Sequence, residues 1–164
     1  MPDYRRIHLE GGTYFSTLVT AQRSPAFAKP ETRLLLRQAI QKVRRQHPFG
    51  IVGMVILPDH LHTISRLPQG DSDFPTRWRL IKTHMTQHAG CGQRFWQPRY
   101  WEHAIRDDVD LARHLDYIHW NPLKHSLVSR VEDWPWSSFH RYVAAGVYPL
   151  DWCGSPALAD YAFG

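Results

Sequence analysis

Cysteine is nearly absent: Cys91 and Cys153 are the only two in 164 residues. Their number and spacing exclude a disulfide framework and a cysteine-held metal cluster. Long apolar runs are missing too. The longest, Ile51 to Leu57, falls far short of the roughly 20 residues a membrane-crossing helix needs. No apolar segment follows Met1-Pro2-Asp3-Tyr4-Arg5-Arg6, so no secretory leader is visible and a reducing cytoplasm is the expected compartment. Repeats, low-complexity tracts and interdomain linkers are absent, so the length reads as one domain with a sizeable core. Composition at 43% hydrophobic and 21% charged is the globular average and excludes wholesale disorder.

What is present in excess is positive charge and flat rings: net charge is +5 with histidine neutral, alongside 11 His, 7 Trp and 7 Tyr. Phosphates attract Lys and Arg while bases stack on rings, so this composition suits a polyanion that carries bases. The charge is concentrated. Arg77, Arg79, Lys82, Arg94, Arg99 and Arg106 meet a single acid, Glu102, with Trp78, Phe95, Trp96, Tyr100 and Trp101 interleaved. Such a stretch fits a single-strand binding surface. It equally fits a helix whose aromatics are core and whose charges face solvent, and the residues alone leave both open.

Thr13 to Thr20 is β-branched and aromatic and predicts a strand. Pro30 opens a segment with Leu36, Ala39, Ile40 and Val43 on one face and Arg33, Arg37, Gln41 and Arg44 on the other, a helix ending near His47-Pro48. Phe49 to Leu57 reads as a strand buried on both faces. Pro58-Asp59 makes a turn, and His60 to Leu67 returns as its hairpin partner. A second helix is expected over Thr76 to Ala89, stopped by Gly90-Cys91-Gly92, and a strand within Arg99 to Ile105. Asp107 to Trp120 predicts a third helix with acids at its positive end, closed by Asn121-Pro122. From Asp133 onward Trp, Pro and Gly predict an irregular course. The order β-α-β-β-α-β-α points to an α+β fold: an antiparallel sheet with packed helices, of ferredoxin-like type.

His60 and His62 stand two apart on a strand, so both rings point to one face, the spacing for two ligands on one divalent ion. On the third helix Leu111, Leu115 and Ile118 form one stripe, while Asp110, Arg113, His114, Tyr117 and Asn121 lie on the other side. The amide of Asn121, one turn past Tyr117, can reach an ion that Tyr117 also faces. Tyr117 reads equally as an interfacial tyrosine with its hydroxyl on a neighbour.

The segment Leu57-Pro58-Asp59-His60-Leu61-His62 resembles the His-hydrophobic-His (HUH) motif of single-tyrosine transposases. Phe95-Trp96-Gln97 through Trp101-Glu102-His103 and Ile105-Arg106-Asp107 resembles the stretch after their second helix. Asp116 to Val128 resembles the Tyr-x-x-x-Asn-Pro-x-Lys element of one subgroup, the REP-associated tyrosine transposases, and Trp134-Pro135-Trp136-Ser137-Ser138 the block that follows it. Ser126 stands where many relatives have glycine. The match spans about residues 10 to 145, which gives an expected transposase domain over 1–145 and an irregular tail over 146–164.

This resemblance implies a ferredoxin-like or RRM-like HUH nuclease sandwich in a bacterial, nucleoid-associated enzyme. Its substrate would be hairpin-forming single-stranded DNA, a repetitive extragenic palindrome. His60, His62 and Asn121 would hold a divalent ion, Mg2+ or Mn2+, and Tyr117 would attack phosphorus to leave a 5′-phosphotyrosine. Arg77, Arg79, Lys82, Arg94, Trp96, Arg99 and Lys124 are the expected DNA contacts. The assembly is expected as a monomer or homodimer without membrane association. His114 or His119 could assist the tyrosine, though packing roles suit both; Asp59 is a turn residue or an orienting partner of an imidazole. Rival readings are a hairpin-binding protein without cleavage, a replication-initiator or relaxase nuclease, and a zinc hydrolase using the His pair.

Overall fold

The computed structural model describes residues 9–90 and 94–161. Four strands form one antiparallel sheet in the order β2-β3-β1-β4: β1 (Thr13–Val19), β2 (Gly50–Ile56), β3 (His60–Arg66) and β4 (Trp101–Ala104). β1 and β2 run parallel with β3 inserted between them, the split βαβ arrangement expected of a ferredoxin-like fold. Pleating sends alternate residues to opposite faces. Tyr14, Leu18 and Leu61 join the core under the first two helices, whereas Phe15, Val55 and Ile64 join the core under the third.

Helix α1 (Pro30–Gln46) buries Leu36, Ala39, Ile40 and Val43, the predicted stripe, and starts with Pro30 in its first turn. Helix α2 (Phe74–His88) buries Phe74, Trp78, Ile81 and Met85 at helical spacing, and the Asp73 side chain accepts from the Thr76 amide to cap it. These two helices cover one face. The other face is covered by α3 (Asp108–Lys124), whose N-cap Asp107 accepts from the Asp110 amide. Glycine at 53 permits this approach: a Cβ there would lie 2.7 Å from Leu115 Cδ1.

The structure differs from the sequence reading at three places. β2, expected to be buried on both faces, is an edge strand with mostly half-buried residues, and β3 is the fully buried one. Its apolar run reflects two helical layers meeting near the edge, not a central position. The expected stop at Asn121-Pro122 is overridden, with Pro122 lying inside α3. Proline there forfeits the bond to the Ile118 carbonyl and crowds that oxygen, and burial of Tyr117, Ile118, Asn121 and Pro122 offsets the cost. The segment after Asp133 is less irregular than expected. It carries α4 (Phe139–Ala144), and Ile56 donates to the Trp136 carbonyl and Ser138 to that of Met54, which covers the β2 edge. Beyond it Tyr148 and Leu158 are buried, Tyr148 among Phe139 and Trp152. The expected stop after α2 includes Cys91 and Gly92, which lie outside the described residues.

Helix α3 closes with Leu127 donating to the Pro122 carbonyl and Ser126 to that of Leu123, a Schellman pattern that puts Ser126 at φ 55°. A side chain there is strained. Ser126→Gly is expected to raise stability by about 0.5–1 kcal/mol, read as a higher urea midpoint with an unchanged slope.

Candidate active site

Three residues in register across the sheet set the site: Trp101 pairs with Thr17, and Thr17 with His62. The register puts Thr17 and His62 on the same face, where His62 Nδ1 lies 2.7 Å from Thr17 Oγ1. Two residues earlier, His60 Nδ1 lies 2.6 Å from Asp59 Oδ1. A carboxylate only accepts, so Nδ1 of His60 carries the proton and Nε2 the lone pair. Donation from His62 Nδ1 to the threonine hydroxyl leaves its Nε2 in the same state. This pattern of one tethered and one open nitrogen is the usual one for metal-binding histidines. The rings lie edge to face, 4.9 Å apart. Burial, reinforced for His62 by His60, holds both imidazoles below their ordinary pKa and therefore neutral at pH 7. Asp59 also accepts from Arg23, so it serves both the turn and the imidazole.

Tyr117 projects from α3 toward this pair. Its residue is 2% exposed, which corrects the expectation that it faces away from its helix's core side. Asp110, His114, Tyr117 and Asn121 share one stripe, and that polar stripe, together with Leu115 and Ile118, is what packs on the sheet. The Tyr117 ring sits edge-on to His62 at 5.5 Å. Its hydroxyl accepts from Lys124 Nζ at 2.6 Å, and the ammonium also lies 4.7 Å from the ring centre. Asn121 donates from Nδ2 to the Tyr117 carbonyl at 3.3 Å and faces His62. Its Oδ1 is buried with no well-formed hydrogen bond, an orphan acceptor on the residue that faces His62. These three donors fit a divalent cation.

A cavity of about 420 Å³ opens onto the group, lined by Val19, Arg23, His60, His62, Tyr117, Lys124 and His125. Arg23 and His125 escaped the sequence reading. His125, whose ring is 5.1 Å from that of His60, became reachable only because α3 runs past Pro122; the residue beside Lys124 was its only signal. His119 packs instead against Phe139 and bonds Ser138 Oγ through Nε2 at 2.8 Å.

A second cluster, His103, Asp110 and His114, lies beyond Phe15. His103 Nε2 donates to Asp110 Oδ2 at 2.7 Å, and the Arg106 amide donates to the same oxygen at 2.9 Å. The two imidazoles are stacked at 4.7 Å with planes 11° apart. Each ring turns a nitrogen to the Asp110 carboxylate, His114 Nδ1 at 3.2 Å from Oδ1, so this cluster ties β4 to α3.

The seven expected DNA contacts divide. Arg77 is 2% exposed and is held by Asp71, with the carbonyls of Asp73 and Pro48, which corrects its expected contact with phosphate. Trp96 is 3% exposed and packs against Phe27 and Phe95, so its ring is closed to stacking. The apolar alternation around α2 fills the core with them. Arg79, Lys82 and Arg94 line a groove of about 710 Å³ with Tyr100 beside α2, on the sheet face opposite the tyrosine. Lys82 donates to the Gln97 carbonyl there, and Arg99 is exposed nearby. Lys124 alone stands at Tyr117.

The split-βαβ sandwich brings the strand histidine pair to the helix tyrosine, the arrangement expected from the resemblance to single-tyrosine transposases. No protein-family model matches the chain. The REP-associated tyrosine transposase of Escherichia coli (strain K12) is 47% identical over 164 residues, covering 100% of this chain and 97% of that protein. A Haemophilus influenzae relative under the same family name is 42% identical over 171 residues, 96% of this chain and 97% of its own. The solved structure of a REP-associated tyrosine transposase bound to a REP hairpin superposes with a TM-score of 0.91 at 47% identity, over 100% of this chain and 97% of that one. The chain belongs to the REP-associated tyrosine transposases, a family of transposase enzymes. No helix among the described residues is long and apolar enough to cross a membrane.

Arg77→Ala is expected to lower unfolding free energy by about 2–4 kcal/mol, because it removes a buried guanidinium that bonds Asp71 and the carbonyls of Asp73 and Pro48. Arg79→Glu, on the groove, is expected to stay within about 0.5 kcal/mol of wild type. Urea denaturation of both variants checks the contrast.

Proposed function

We propose that this chain cuts and rejoins hairpin-forming single-stranded DNA of the REP type, with Tyr117 as the nucleophile. One observation carries the reading: Tyr117 lines a cavity with its Oη 2.6 Å from Lys124 Nζ and its ring centre 5.5 Å from that of His62. His60, His62 and Asn121 are the residues that would hold Mg2+ or Mn2+. When bound, such an ion polarises the scissile phosphate and offsets charge that develops on its oxygens.

The protein side chains do the rest. Lys124 holds the Tyr117 hydroxyl and presents positive charge to it. In cleavage the Oη–H bond breaks and its proton passes to water. The Oη–P bond forms, the P–O3′ bond breaks, and the 3′ oxygen takes a proton from water. A 5′-phosphotyrosine and a 3′-hydroxyl result, and attack by a second strand's 3′-hydroxyl reverses the steps. The tyrosyl oxygen leaves with negative charge in that direction, where the Lys124 ammonium is most useful. Asp59 and Thr17 hold the imidazoles in one orientation. Because Tyr117 faces the histidines of its own chain, the cut is made in cis. The single-stranded substrate would be met at Arg79, Lys82, Arg94, Arg99 and Lys124, in the bacterial cytoplasm at the nucleoid. Residues 1–145 would carry the chemistry and 146–164 form the tail.

Tyr117→Phe removes one oxygen and keeps the ring, so the variant is expected to fold and bind the hairpin yet form no covalent DNA adduct. Labelled hairpin DNA on denaturing gels reads this out, and an adduct mapped by mass spectrometry to Tyr100 or Tyr142 would move the nucleophile elsewhere. His60→Ala combined with His62→Ala is expected to abolish cleavage in Mg2+ or Mn2+ while hairpin affinity stays mostly intact, since phosphate contacts supply much of it. Undiminished cleavage by the double variant rules out the ion site.

Lys124→Met is expected to slow cleavage by roughly 10- to 100-fold, the scale of losing one charged hydrogen-bond donor in a reacting site. Single-turnover kinetics measure it.

A further inference from the structure

Of the aromatics interleaved with the basic stretch, Trp78, Phe95 and Trp96 are buried and Tyr100 is half-buried. Trp101 is 40% exposed. Its place in the sheet is specific: it pairs with Thr17, which pairs with His62, so the three share one row and one face. Two strand spacings put its backbone about 10 Å from that of His62. The indole meets Phe15 edge-on at 5.5 Å, and Phe15 meets Tyr117 at 6.3 Å. One ring therefore separates Trp101 from the tyrosine.

The indole is also held in a fixed attitude. His103 lies nearly parallel to it, with planes 14° apart and centres 6.1 Å apart. His103 stacks in turn on His114 and is fixed by Asp110. The β4–α3 tie thus braces an exposed aromatic. Arg106, whose side chain is 73% exposed, bonds the same Asp110, and exposed Arg99 precedes Trp101 by two residues. Glu102 between them points to the other sheet face, beside Tyr14.

A braced, half-exposed indole flanked by arginines, one ring from the reacting tyrosine, has the form of a stacking platform for a nucleic acid base. We propose that Trp101 stacks on an unpaired base of the single strand that leads from the hairpin into the active site, with Arg99 and Arg106 on the adjoining phosphates. This rests on the transposase reading and adds a base-binding position to it. Stacking needs only a π-face, so the position tolerates any base.

The test uses the full chain with two oligonucleotides, a REP-type hairpin carrying its single-stranded flank and the same hairpin blunt, with affinities read by fluorescence anisotropy. Trp101→Leu keeps an apolar side chain and removes the π-face; Trp101→Phe restores one. The leucine variant is expected to bind the flanked hairpin on the order of 5- to 100-fold more weakly, as for loss of one stacked base. It should bind the blunt hairpin as wild type does, and the phenylalanine variant should recover most of the loss. Unchanged affinity of Trp101→Leu for the flanked hairpin overturns the proposal. Equal weakening on both oligonucleotides also overturns it, since Trp101 would then act through the fold. Failure of the wild type to bind either hairpin would strike the transposase reading itself, an outcome distinct from the other two.

Discussion

Helix α3 turns its polar stripe inward, and every group on that stripe must find a partner where water is scarce. Desolvation of an unpaired polar group costs several times what a hydrogen bond returns. The sheet and the helix's own last turn answer position by position. Asp110 meets His103 and the Arg106 amide, Tyr117 meets Lys124, and Asn121 meets His62 and the Tyr117 carbonyl. Asn121 Oδ1 is buried without a well-formed bond, on the residue that faces His62.

Register converts that chemistry into geometry. Strand side chains repeat every two residues, so a slip of one position in β3 would send His60 and His62 into the apolar layer under α1 and α2. The turn at Pro58-Asp59 and the Thr17–His62 bond fix the alignment, while the absence of a side chain at Gly53 lets α3 approach closely enough for Tyr117 to reach the pair. The Trp134–Ser138 segment contributes from a distance. By pairing with β2 and receiving hydrogen bonds at its edge, it keeps that strand from offering an open ladder to another chain.

The distribution of charge follows the same logic. Arginines of the basic stretch serve two ends: Arg77 is spent on joining α2 to the loop carrying Asp71, whereas Arg79 and Arg94 stay at the surface with Lys82 between them. The groove they line and the tyrosine cavity lie on opposite faces of one sheet.

Much of this protein was legible in its residues. Binary patterns gave α1, α2 and all four strands, because periodicity is a local property. The His-x-His spacing put both rings on one face for the same reason, and the order of motifs pointed to the family. The tertiary structure decided the rest. Leu111, Leu115 and Ile118 marked an apolar stripe, but nothing in α3 alone told that the adjoining polar stripe was also buried, since it packs on β3 and β4, which supply the His62 and His103 partners. Pro122 signals a helix end by its own chemistry, and only packing of the surrounding turn on the sheet overrode it; His125 and Lys124 reached the site as a result. Arg77 and Arg79 are two apart in one helix and look alike in sequence. Which of them is buried and bonds Asp71 and the Pro48 carbonyl, and which meets water, depends on where α2 lies against the chain around Pro48 and Asp71, a contact between distant segments that the sequence does not specify locally.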